Sequence, residues 1–268
     1  MKFRQLIATA GIIAGGALAV GQAPAQAFSF TSNFTHEESG SDADKGNIWL
    51  NSVTLEDGTE ISDFTLIESA EIITNDVYSG GNSGAASADR GDIASGIKVE
   101  DASSQDVADT LSNQNLNNII DTEDSGNFAI NLFFEQAVDN IFAFERGMNS
   151  DLQVQAIDGS GNTIGNIFKF LRGDWDSAGY SIDTMEIGNS QKVGSSGISV
   201  ADLGLSGPIS GLRVVSESSF NGPDWKIFGS VADPEVTNAK TPEPSVMLAL
   251  GAVAGGTMLR RRRRQQAA

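Results

Sequence analysis

Apolar and polar residues alternate with period two along several short stretches of the chain, and Gly, Asn, Asp or Pro close each stretch. In residues 128–134, Phe128, Ile130 and Leu132 fall on one face, as a half-buried strand requires. A break at Asp139-Asn140 precedes a second run at 141–146. Residues 152–156 alternate again and are joined to 163–170 through Asp158-Gly159-Ser160-Gly161-Asn162, whose residue types suit a hairpin turn. Residues 211–215 and 225–231 give two further runs with Asn221-Gly222-Pro223 between them, and 48–55 and 64–73 are the expected opening strands. Helical periodicity is confined to 104–120, where Val107, Leu111, Ile119 and Ile120 form a broken apolar face. The Gly-, Ser- and Ala-rich stretch 79–96 reads as a long loop. Together these signals predict an all-β fold: an antiparallel two-sheet sandwich of jelly-roll type, with short helices on the connections. A parallel α/β sheet would need helices between strands, and a β-helix would need a visible coil repeat.

The two ends break this pattern. Lys2 and Arg4, an apolar stretch over 6–20 and the small-x-small triplet Ala25-Gln26-Ala27 compose a secretory signal cleaved after Ala27, so residues 1–27 are assigned to export. Residues 28–240 form one domain. Residues 241–268 hold three parts in order: Pro242-Glu243-Pro244, an apolar run over 246–259, and the cluster Arg260, Arg261, Arg262, Arg263 and Arg264. As a helix that run reaches only ~21 Å at ~1.5 Å per residue, against a hydrocarbon core of ~30 Å. Its Gly and Ala content weakens insertion further, so it suits a transient inner-membrane handle better than a permanent anchor.

Charge narrows the partners. All but one of the 35 acidic residues lie within 28–240, against ten of the 17 basic ones, which gives that stretch a net charge of −24. Such a field repels phosphate backbones, so nucleic acid is not an expected partner, whereas calcium is a natural companion. With no cysteine there is no disulfide, thiolate or Cys-zinc chemistry, and a single histidine, His36, removes most imidazole-based designs.

The ordered triple at the C-terminus resembles the PEP-CTERM sorting signal. That resemblance implies recognition by an integral-membrane exosortase, removal in the PEP region, and delivery to the cell surface or extracellular matrix in company with exopolysaccharide production. A second resemblance rests on residues 138–151, on Asp174-Trp175, on 178–184 and on 221–226. They are similar to a cyanobacterial family of exosortase-dependent surface proteins, over roughly 128–231. This family has no assigned activity and implies no catalytic residues.

Candidate chemistry is therefore sought in binding. Asp158, Ser160 and Asn162 carry the alternating oxygen ligands of a calcium loop, although a plain hairpin turn explains them equally well; Asp174 and Asp176 are similar candidates. Trp175 and Tyr180, each beside polar residues, are candidates for stacking against sugar rings, whereas Trp225 sits in an alternating run and belongs in the core. A glycosidase needs only two facing carboxylates, which so acidic a domain supplies by chance. His36 lies in a polar stretch with no nucleophile motif. Asn33-Phe34-Thr35 matches a glycosylation triplet by coincidence in a bacterial export setting. The expectation is a non-enzymatic surface or matrix protein that contacts exopolysaccharide, with a structural coat role, or a carboxylate-based polysaccharide hydrolase, as the alternatives.

Overall fold

A computed structural model describes residues 27–75, 102–122, 126–184 and 189–231. The stretch 79–96, the signal residue Ala25 and the tail with Pro242, Glu243, Pro244 and Arg260, Arg261, Arg262, Arg263 and Arg264 lie outside the described residues.

The described residues build three antiparallel sheets. Strands are numbered in chain order. The first sheet has five strands in the order β4 (Ile67–Thr74), β5 (Phe128–Val138), β11 (Ile209–Ser216), β7 (Leu152–Ile157) and β8 (Thr163–Phe170). The second has four, in the order β12 (Asp224–Ser230), β6 (Asn140–Arg146), β10 (Gln191–Ser199) and β9 (Asp176–Ile182). Successive connections β5 to β6 to β7, and β10 to β11 to β12, carry the chain from one sheet to the other and back. Just before β4, Thr65 bridges Gly229 on β12, after which β4 itself pairs with β5. The two larger sheets make an antiparallel sandwich, with β9 at the outer edge of β10 and β8 at the outer edge of β7.

A third sheet, β1 (Phe30–His36), β2 (Ile48–Leu55) and β3 (Glu60–Ile61), is an addition to the expected pair. It covers the outer face of the four-stranded sheet. Ile130, Leu132, Val154, Leu212 and Val214 meet Ile141, Ala143, Ile198 and Ile227 in the core between the two larger sheets. On the opposite face Phe142, Phe144, Phe228 and Tyr180 pack with Phe30, Leu50 and Val53. A sheet covered on both sides needs apolar residues at consecutive positions, and the run Ile141-Phe142-Ala143-Phe144 has them. Each of these phenylalanines stabilises the layers by about 1.5–3 kcal/mol through burial.

The helical signal resolves into one helix, α1 (Ser104–Leu111), opened by a capping box between Ser103 and Asp106. It stops short of residue 120 because the asparagines that follow compete for its backbone. The Asn113 side chain donates to the Asp109 and Thr110 carbonyls, and Asn115 accepts from the Ile48 and Asn117 N–H groups. Among the described residues no helix is long and apolar enough to cross a membrane.

Candidate functional site

The connection from β8 to β9 turns tightly, with Gly173 and Asp174 both donating to the Leu171 carbonyl. It folds Trp175 back onto Phe170, the rings stacked at 5.3 Å and 18°. The indole N–H donates to the Ser150 carbonyl at 2.9 Å. Gly194 on β10 makes room for the ring, since a Cβ there would lie 2.6 Å from that of Trp175. Trp175 is thus 6 % exposed, and the expectation of an open indole is corrected: flanking Asp and Gly residues suggested a loop, but the ring serves as a plug at the sandwich edge.

On the other side of this edge the first described residues join the four-stranded sheet. Phe28 exchanges both backbone hydrogen bonds with Gly197 of β10, at 2.8 and 2.9 Å, and its ring lies over that glycine. The Ser29 hydroxyl donates to Asp176 Oδ2. Between these parts opens a recess of about 400 Å³. Its floor is aromatic, with the half-buried rings of Phe28 and Phe168 backed by the buried Phe170 and Trp175, and Ser29, Asp174, Asp176 and Ser196 give it polar lining. Its size is that of a small-molecule pocket.

The charges around the recess are sorted by their partners. Lys169 pairs with Asp151 at 2.8 Å and lies 3.8 Å from the centre of the Phe220 ring. Burial raises the Asp151 carboxyl, but hydrogen bonds from Arg172 and Lys169 outweigh it and hold the group down to about 2. Among the described residues neither Asp174 nor Asp176 has a Lys or Arg within 4.0 Å. The rim is therefore acidic and open, while the lysine beside it is already engaged.

The other expected site residues lie elsewhere. Tyr180 faces inward from β9 between Phe34 and Phe144, at ring distances of 5.1 and 6.3 Å. It is 6 % exposed, so its proposed stacking against sugar is corrected as well: period two along β9 puts Ala178, Tyr180 and Ile182 on the buried face. Asp158, Ser160 and Asn162 form the β7–β8 hairpin turn. There the Asp158 carboxylate accepts the Ser160 and Asn162 N–H groups at 2.9 and 3.0 Å. The Asn162 N–H, its side-chain amide and the Ser160 N–H hold this carboxylate below its usual range. None of the three lines the recess with Asp174 and Asp176. Among the described residues no three His, Cys, Asp or Glu side chains converge as a metal set. His36 Nδ1–H donates to the Ala43 carbonyl at 2.9 Å, and the ring packs edge-on against Phe34.

A buried polar system at the end of β6 and β12 escaped the sequence reading. Arg146 meets Asp224 at 2.8 Å and Asp121 at 3.3 Å. Lys226 donates to the Thr110 and Asn118 carbonyls at 3.0 and 2.9 Å, tying α1 and its trailing loop to the sheet, while burial lowers its pKa. Glu145, wholly buried, is pushed up to about 9 by burial first and by the Asp224 charge second. The signal was available: Glu145, Arg146 and Lys226 interrupt runs that are otherwise apolar.

No family model, no curated protein and no solved structure matches the chain.

Proposed function

We propose that this chain is an exported, exosortase-processed protein of the cell surface or extracellular matrix, and that its domain binds exopolysaccharide without catalysing a reaction. The sorting half rests on the order Pro242-Glu243-Pro244, apolar run and Arg260–Arg264 at one end, with the Ala25-Gln26-Ala27 site at the other. The binding half is carried by one observation: the recess sets Asp174 and Asp176 on the rim of an aromatic floor. A sugar ring offers an apolar face to such a floor and hydroxyl donors to such a rim, because ionised carboxylates only accept hydrogen bonds. With a net charge of −24 on residues 28–240, the ligand is a neutral glycan, or an acidic one joined to the rim through calcium.

Retention of the exported protein on exopolysaccharide from its own cells, with and without calcium, tests the binding half. Asp174→Asn, Asp176→Asn and Phe168→Ala are expected to lower affinity about tenfold, the equivalent of ~1.4 kcal/mol. No retention under either condition would leave the coat role in its place. Mass spectrometry of the surface form tests the sorting half, which fails if the arginine cluster is still attached.

A further inference from the structure

The small outer sheet carries the third tryptophan. Trp49 on β2 is 41 % exposed, whereas Trp175 and Trp225 are 6 % and 0 % exposed. It stands opposite Thr35 of β1 and is surrounded by uncharged polar side chains held in fixed positions. Asn51 Nδ2 donates to Thr35 Oγ1 at 2.9 Å, Asn33 Nδ2 donates to Ser52 Oγ at 2.9 Å and Thr54 Oγ1 at 3.1 Å, and Ser52 Oγ donates to Glu60 Oε1 at 2.6 Å. The amide donors are thus committed within the row. The Trp49 indole N–H and the side-chain oxygens of Asn33 and Asn51 have no partner among the described residues.

We infer that this face is a binding platform for a neutral polysaccharide chain, with Trp49 stacking on a sugar ring and the asparagine oxygens accepting its hydroxyls. The charge distribution selects that occupant. In a domain of net charge −24 the row contains a single carboxylate, Glu60, already engaged by Ser52, and no Lys or Arg that would hold a polyanion. A protein partner would require a cluster of apolar and aromatic residues at the centre of the patch, and Trp49 is the one such residue in this row. Ser29, on the rim of the recess, and Thr35, beside Trp49, lie six residues apart on one extended stretch, about 20 Å at ~3.3 Å per residue. A chain that reaches both contacts gains from the second without a new encounter. The platform rests on the polysaccharide reading but not on the recess.

The test uses the exported protein with laminarin, dextran and polygalacturonate. Acrylamide quenching reports the one exposed tryptophan, and Trp49→Phe identifies that quenchable fraction. Laminarin or dextran is expected to protect Trp49, and polygalacturonate is not. Trp49→Leu is expected to weaken neutral-glucan binding about tenfold or more, from the indole area withdrawn from water, with Trp49→Tyr restoring most of it at unchanged melting temperature. Asp176→Asn is expected to raise the glucan concentration needed, through loss of the second contact, and to leave Trp49 fully protected at saturation. Absence of protection by either neutral glucan, or a Trp49→Leu variant that binds like the parent, overturns the platform. If Asp176→Asn alone abolishes retention, the recess reading stands and this one falls; if Trp49→Leu alone does so, the reverse holds.

Discussion

Replacing Glu145 by Gln is expected to change how stability depends on pH. The group's pKa is about 9 in the folded protein, against 4.5 when unperturbed, so between these values the folded state keeps a proton that the unfolded chain releases. Its contribution to stability is therefore fully present below about pH 4.5 and is lost as pH rises toward 9. At ~1.36 kcal/mol per pH unit, the ceiling on the loss between pH 5 and pH 8 is about 4 kcal/mol, a large share of the ~5–15 kcal/mol that holds a domain folded. Water entering around the ionised carboxylate lowers the figure actually measured. Glutamine keeps the shape and cannot ionise. Urea unfolding followed by circular dichroism at pH 5, 6, 7 and 8 should show the two proteins alike at the acid end, with the variant gaining by about 1 kcal/mol or more per unit thereafter. Background titration is common to both proteins and cancels in the difference. Parallel curves across this range would refute the assignment of a buried, protonated Glu145.

Three further outcomes follow from buried partners. Lys226→Met removes the buried donor to the Thr110 and Asn118 carbonyls and is expected to cost about 1–3 kcal/mol in chemical unfolding, with hydrogen exchange of α1 accelerating first. Tyr180→Phe removes a buried hydroxyl that has no hydrogen-bond partner among the described residues, so thermal unfolding should show no loss, or a gain of up to ~1 kcal/mol. Asp151, held down to about 2 by Arg172 and Lys169, adds stability that is present above its unfolded pKa of 3.8 and is lost as pH falls from there through about 2; in acid titrations Asp151→Asn should flatten this limb and leave the alkaline one unchanged.

Strands with one face in the core were legible from the sequence because period two is a property of the chain alone. β7, β8 and the turn at Asp158 lie where alternation and turn residues put them. β9 and β10 were not legible. Gly179, Gly194 and Gly197 give these strands little β propensity, and two of them are explained only by distant neighbours: Trp175 packs against Gly194, and Phe28 over Gly197. Trp175 itself shows the same limit. Its polar neighbours describe the connection it lies on, but its exposure is decided by Phe170 and Ser150. Asp174 and Asp176 could be singled out as acids, whereas the aromatic floor beside them is assembled from residues 28, 168, 170 and 175 and has no sequence pattern of its own.

The pairing of Phe28 with Gly197, and of Thr65 with Gly229, also bears on how the protein acquires its shape. Phe28, just ahead of β1, meets Gly197 only after most of the chain has been made, although β1 itself pairs with its neighbour β2. β12, which joins Thr65, Ile120 and β6, is the last strand among the described residues. Contacts so far apart in sequence make closure of the larger sheets slow, while the hairpins β1–β2 and β7–β8 can form locally on the way. On the export route proposed above, the two larger sheets would close only after β12 has crossed the membrane, so the chain would stay threadable until then.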